Sequence, residues 1–272
     1  MKRLIAGVSA EEYPPELAKF KSTLLLLHGV WSGAWCWLSW ATHFSNLGWN
    51  AIAVDLRRRS KENPSGQLKG LSLSDCVRDL GEVIRSLSEP PVVLAMNLGA
   101  LVALKALEKS KLAALVLVSP TPPKNIAVAP SRAQRLLWLK YRWLILLHKP
   151  FAIDEKDFHA YFLTPLSVNL QRTLSRQIVP DASALVREFL APRVSIASRP
   201  WSCPILVLAG SDDRITPPAT SRQIASSLSA EFEECSGQGH WLIEHDGENI
   251  VRNIHRWIIQ KLGEKILLTQ LS

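Results

Sequence analysis

Long apolar runs are missing from this 272-residue chain. No stretch reaches the roughly 20 uninterrupted apolar residues that a membrane-spanning helix needs. The opening Met1-Lys2-Arg3-Leu4-Ile5-Ala6-Gly7 has a basic end, but its apolar run is too short for a signal peptide. Cysteine is scarce. Cys36, Cys76, Cys203 and Cys235 are scattered, with no C-x-x-C pair and no histidine at zinc spacing. That pattern speaks against a metal site and for reduced thiols in a cytoplasm; no cofactor is expected. Acid is missing from one segment. Between Thr121 and Ile153 stand Lys124, Arg132, Arg135, Lys140, Arg142 and Lys149, with no Asp or Glu. These six supply most of the formal net charge of +8, so the rest of the chain is near balance and a nucleic-acid face is not expected.

What is present describes a folded protein. Apolar residues make up 47% and charged residues 21%, a soluble globular composition. The length fits one α/β domain, with or without a sizeable insertion. Short apolar runs at Thr23–Leu27, Asn50–Val54, Val92–Ala95, Ala113–Ser119 and Ile205–Ala209 read as buried strands. Helical patterns fall between them at Trp35–Asn46, Ser74–Ser88, Leu98–Lys109 and Pro218–Leu228, and a last strand near Glu231–Glu234 precedes a helix from Asn249 to Leu262. This alternation predicts a mostly parallel sheet covered on both faces. The first twenty residues and the last ten are weakly patterned. Between Pro120 and Pro204 the strand rhythm stops, and prolines and Leu/Arg/Trp helical stretches such as Arg132–Leu147 take over. The expectation is a core of residues 1–120 and 201–272 with a helical cap, 121–200, over the C-terminal strand ends, where open α/β sheets bind ligands.

Four motifs follow one another. His28-Gly29 leaves a strand and opens the loop Val30-Trp31-Ser32-Gly33-Ala34-Trp35-Cys36-Trp37. Ala95-Met96-Asn97-Leu98-Gly99 joins a strand to a helix, Gly210-Ser211-Asp212-Asp213-Arg214-Ile215-Thr216-Pro217 follows a late strand, and Gly237-Gln238-Gly239-His240-Trp241 follows the last. Elbow, acid and histidine in that order are the succession of an α/β-hydrolase triad.

At these residues, over roughly Leu24 to Leu262, the chain resembles the α/β-hydrolase superfamily, above all small bacterial esterase-like proteins and the plant methylesterase and hydroxynitrile lyase branch. The resemblance implies an α/β-hydrolase fold with an inserted helical cap. It makes Asp213 the acid (with Asp212 facing solvent) and His240 the base, and gives an oxyanion hole to the backbone N–H groups of Val30 and Leu98. His28, Trp31, Met96 and Trp241 would contact substrate. As structural alternatives, His240 is a buried histidine and Asp213 a turn or capping residue before Pro217.

Asn97 departs from the pattern. An elbow nucleophile is serine, cysteine or aspartate, because the side chain attacks carbon. A carboxamide has no acidic proton for His240 to remove and can only donate and accept hydrogen bonds. Asparagine does enter positive-φ turns readily, so it suits an elbow sterically.

Other features divide between core and function. Trp31, Trp35, Trp37, Trp40 and Trp49 lie within twenty residues and read mainly as core, Trp31 excepted because of its loop. Arg57-Arg58-Arg59 reads as a solvated loop or as an anchor for an anionic substrate group. The stretch 132–149 is basic and aromatic, the composition of a lid over an apolar pocket or of a helix that makes weak contact with a membrane surface.

Three functions fit. One is an enzyme that works through His240 and Asp213 without a covalent intermediate on a small apolar carbonyl or ester-type substrate, by decarboxylation, C–C lysis, isomerisation or cyclisation. Methylketone synthases, which lack the serine, are precedents in the branch the chain resembles. The second is an esterase whose elbow Ser or Asp has been replaced by asparagine. The third is a binding protein for a small apolar ligand.

Overall fold

A computed structural model describes residues 1–56, 68–244 and 247–268; Arg57, Arg58 and Arg59 lie outside them. The described strands form an eight-stranded sheet in the order β1-β2-β4-β3-β5-β6-β7-β8. Its parallel part comprises β3 (Leu24–Leu27), β4 (Ala51–Val54), β5 (Val92–Met96), β6 (Ala114–Val118), β7 (Ile205–Gly210) and β8 (Glu231–Cys235). The four leucines of β3 are fully buried between β4 and β5, which is why this strand reads as an unbroken apolar run rather than an alternation.

Two antiparallel strands at one edge come from the weakly patterned N-terminus. β1 (Lys2–Ile5) and β2 (Val8–Tyr13) pair as a hairpin, and β2 continues the sheet against β4. The two loop residues, Ala6 and Gly7, both have positive φ, 48° and 78°, the twist that two-residue hairpins favour.

The order in which strands are added reverses at β3. From β3 the chain crosses through α1 (Leu38–Asn46) to β4 on one side, then through α2 (Leu73–Arg85) to β5 on the other. Right-handed crossovers in opposite directions place α1 and α2 on opposite faces. α1 packs against α9 (Gly247–Leu262), and α2 against α3 (Leu98–Leu107). The crevice at such a reversal, outside the carboxyl ends of β3 and β5, is where ligands bind in open α/β sheets.

Between β6 and β7 the chain is helical. It runs through α4 (Arg132–Leu146), a single turn α5 (Glu155–Asp157) that passes into a π-helical turn (Phe158–Leu163), α6 (Val168–Ser175) and α7 (Ser183–Leu190). Ser131 and Gln134 bond reciprocally as a capping box and fix the start of α4. α7 packs on α4 and on α2 and α3, tying the segment to the sheet's helical layer. α8 (Pro218–Leu228) links β7 to β8.

Candidate active site

The elbow is built by backbone. β5 ends at Met96 and α3 begins at Leu98, so Asn97 must turn the chain alone, with φ 54° and ψ −123°. Its N–H bonds to the Val118 carbonyl at 3.0 Å, and its own carbonyl accepts from Thr121 N at 3.1 Å. Such a turn works only against glycine neighbours. A Cβ on Gly29 would stand 2.6 Å from Asn97 Cβ, and one on Gly99 would stand 2.5 Å from the His28 carbonyl oxygen.

The Asn97 carboxamide sits in the middle of a polar chain. Its Oδ1 accepts the backbone N–H of Leu98 at 2.6 Å and of Val30 at 3.3 Å. Those two donors orient the amide, so Nδ2 faces His240 Nε2 at 2.7 Å and donates to it. Nε2 is then an acceptor, and the histidine proton lies on Nδ1, which donates to the Asp213 carboxylate at 2.9 and 3.0 Å. Asp213 is anchored from behind, since its Oδ1 accepts the N–H groups of Ile215 and Thr216, both at 2.8 Å. The carboxylate therefore holds the turn and orients the ring at once. Asp212 is exposed.

The site is deeply enclosed. His240 is 0% exposed, and Asn97 1%. The Phe162 ring stands edge-on to His240 with centroids 5.1 Å apart, and Phe189 lies at 6.5 Å. Trp31, at a positive φ of 59°, turns its ring into the helical segment among Tyr141, Phe151, Phe162 and Phe189. Its backbone N–H donates to Asp181 Oδ2 at 3.1 Å, its Nε1 to the Phe151 carbonyl at 3.1 Å, and its carbonyl accepts from Val179 N at 3.2 Å. The loop that follows β3 is thus bonded to the helical segment. Cavities of about 460 Å³ beside Trp201 and about 450 Å³ between α2 and α3 lie elsewhere.

The other residues expected to contact substrate are also buried. Met96 closes β5 next to the elbow. Trp241 stacks on Trp35 at 5.9 Å and meets Phe158 edge-on at 5.5 Å. His28 is committed to backbone: its Nδ1 donates to the Gly29 carbonyl at 2.8 Å, and its Nε2 accepts Leu56 N at 3.2 Å. Trp37, Trp40 and Trp49 are wholly buried in the core, Trp49 stacking on Phe20 at 4.0 Å. Ser32 is buried, with Oγ donating to the Gly29 carbonyl at 3.2 Å, and burial pushes the neighbouring Cys36 thiol well above its ordinary pKa. Two residues that sequence reasoning missed shape the loop. Asp181 holds Trp31, and Asp55 accepts Ala34 N at 2.7 Å. Asp55 follows a strand end directly, a visible signal; Asp181 gives none.

A parallel sheet, an elbow between strand and helix, and a histidine–aspartate pair at the ends of later strands now stand together. The sequence profile of the alpha/beta hydrolase family matches residues 24–252. The chain belongs to that family. By sequence no curated protein matches it. Similar solved structures include a monoacylglycerol lipase of Paleococcus ferrophilus (20% identity, TM-score 0.72, covering 93% of this chain and 99% of that one). A thermophilic esterase of Thermogutta terrifontis matches at 18% identity and TM-score 0.71, over 96% of this chain and 98% of that one. An esterase of a Rhodococcus species matches at 19% and 0.68, over 96% and 98%. At such identities the likeness carries the fold; chemistry has to be argued from the residues of this site.

Proposed function

We propose that this member of the family is an enzyme that moves a proton at the atom next to a carbonyl, with His240 as base and no covalent intermediate. The observation that carries this reading is the pose of the Asn97 carboxamide. Its C=O lies on two converging N–H donors while the N–H attached to the same carbon lies on His240 Nε2. An enolisable carbonyl compound presents the same unit, a C=O with a removable proton one atom away. The donors would hold the oxygen as it gains charge, His240 would take the proton, and Asp213 would hold the imidazolium that results. Substrate would displace the carboxamide from the two donors and from His240.

The surroundings support a small, largely apolar substrate, since Phe162 and Phe189 border His240, Trp31 packs on both rings, and polar groups are few. Loss of the α-proton, cleavage of an adjacent C–C bond, isomerisation and decarboxylation all pass through the enolate this arrangement would stabilise. A cytoplasmic setting fits the four cysteines, which are buried and not joined in disulfides.

One observation favours a second reading. The polar groups of the site satisfy one another and aromatic rings pack over them, which also suits a binding protein that has given up catalysis. A single experiment separates the two. Apolar methyl ketones and β-keto esters are incubated in D2O with the native protein, and α-proton exchange is followed by NMR. Exchange that persists or rises in Asn97→Ala and is lost at least about hundredfold in His240→Ala supports the base role. Exchange no faster than buffer for native protein and Asn97→Ala alike would sink it.

A further inference from the structure

Helix α4 has two apolar faces, and only one of them is used inside the protein. Ala133, Leu137, Tyr141 and Ile145 are buried, with Tyr141 approaching Trp31 at 6.3 Å. On the other side Leu136 (44%), Leu139 (55%), Trp143 (63%), Leu146 (59%) and Leu147 (61%) are exposed. At helical spacing these five fall within an arc of about 100°, a full amphipathic stripe turned to solvent. They are five of the twelve large hydrophobics exposed among the described residues, so the concentration is local. Scattered exposed apolar residues are ordinary, but a contiguous stripe is not.

The border of the stripe is basic. Arg135 and Arg142 flank it on one side and Lys140 on the other, with Arg132 at its start and Lys149 beyond its end; all five are exposed. The Arg142 guanidinium lies over the Trp143 ring at 5.5 Å. The acids nearby, Asp154 and Asp157, engage Lys140 at 3.5 and 2.6 Å, which leaves the arginines to set the charge of the face.

We propose that α4 docks the protein on an anionic lipid bilayer, the leucines and Trp143 entering the headgroup boundary and the basic rim meeting lipid phosphates and carboxylates. Charge complementarity selects this occupant. A second copy of the chain would bring an equally basic rim against this one, whereas an anionic bilayer answers both the apolar stripe and its charge. Trp143 is suited to the interface, where an amphipathic ring sits at headgroup level. Because the inner face of the same helix reaches Tyr141 and Trp31, docking would place the roof of the enclosed site against the lipid phase. This inference rests on exposure and charge alone and stands whether or not His240 acts as a base.

The test is co-sedimentation of the full chain with vesicles of phosphatidylcholine, with and without phosphatidylserine. Binding is expected to the anionic vesicles, to weaken with added salt, and to be faint on phosphatidylcholine alone. Leu139→Glu and Trp143→Glu should each reduce it by at least about tenfold, and Arg132→Gln and Arg142→Gln by about fivefold each. All four side chains are exposed, so the fold is expected to persist, which circular dichroism would confirm. Trp143 is the one of the ten tryptophans that is mostly exposed, so brominated lipids should quench emission in the native protein and not in Trp143→Phe. Absence of binding to anionic vesicles at low salt overturns the proposal. So does equal binding by the glutamate variants, or a native dimer that Trp143→Glu splits while vesicle binding is unchanged.

Discussion

Asn97 Nδ2 donates to His240 Nε2 across 2.7 Å, so the elbow residue occupies the lone pair that a hydrolase would use to activate its nucleophile. The other end of the same carboxamide takes the two backbone donors of Leu98 and Val30. One side chain therefore covers what would be both halves of a hydrolase's machinery, a base and a pair of donors, and each half would become free only when that side chain is replaced or turns away.

Asn97→Ser should uncover both halves. The hydroxyl would fall within reach of His240, and the two N–H groups would be left for a substrate oxygen. Weak hydrolysis of short p-nitrophenyl esters and labelling by fluorophosphonates should appear, and both should vanish when His240→Ala is added. The native protein should stay unlabelled. Loss of the buried bonds made by the carboxamide should cost about 1–3 kcal/mol, more than the turn's conformational preference alone would suggest, as read by denaturant unfolding. Labelling of the native protein at Ser32 would mean that another nucleophile operates.

Gly99→Ala should destabilise the chain although it adds one methyl group. Its Cβ would meet the His28 carbonyl oxygen at 2.5 Å and the Leu27 carbonyl oxygen at 2.9 Å. These are backbone atoms of a central strand end and cannot swing aside. A cost of about 1–3 kcal/mol is expected, visible as a lower thermal midpoint. An unchanged midpoint would mean that the elbow has room for the methyl group.

Stability should fall as pH rises past the ordinary carboxylate range. Burial lifts Glu244 from 4.5 to about 7 in the folded protein. A raised folded pKa means that the folded state favours the protonated form, so its contribution is fully present below 4.5 and lost as pH climbs to about 7. The partly accessible position limits the effect to on the order of 1–2 kcal/mol. Glu244→Gln should flatten this slope in denaturant midpoints taken across that range; a slope that survives the substitution would assign it to other groups.

The parallel strands β3 to β7 were legible because each is a short aliphatic run with no competing helical period, and the elbow because a strand and a helix leave one residue between them. The N-terminal hairpin was not. β2 turns Glu12 inward, where Arg3 at 2.6 Å and Asn50 at 3.0 Å bond it, and a charged residue on the buried face breaks the alternation that would mark the strand. The positions of Asn97, Asp213 and His240 in the chain were readable. The docking of the Asn97 oxygen on Val30 was not, since it joins residues 67 apart by a geometry no local pattern encodes. Composition left α4 open between lid and interface; the structure adds that one side of the helix is buried and the other exposed.

Trp31 couples two events that need not have been coupled. Its backbone follows Val30, one of the donors, while its N–H, carbonyl and indole are all bonded to the helical segment above. Lifting that segment would pull on the loop that carries the Val30 N–H, so admission of a molecule and integrity of the donor pair would be set by one equilibrium rather than two. A compound that grips both donors would then bind only the closed ensemble and slow hydrogen exchange in a segment it never touches, with its apparent affinity reduced by the fraction of time the roof stands open.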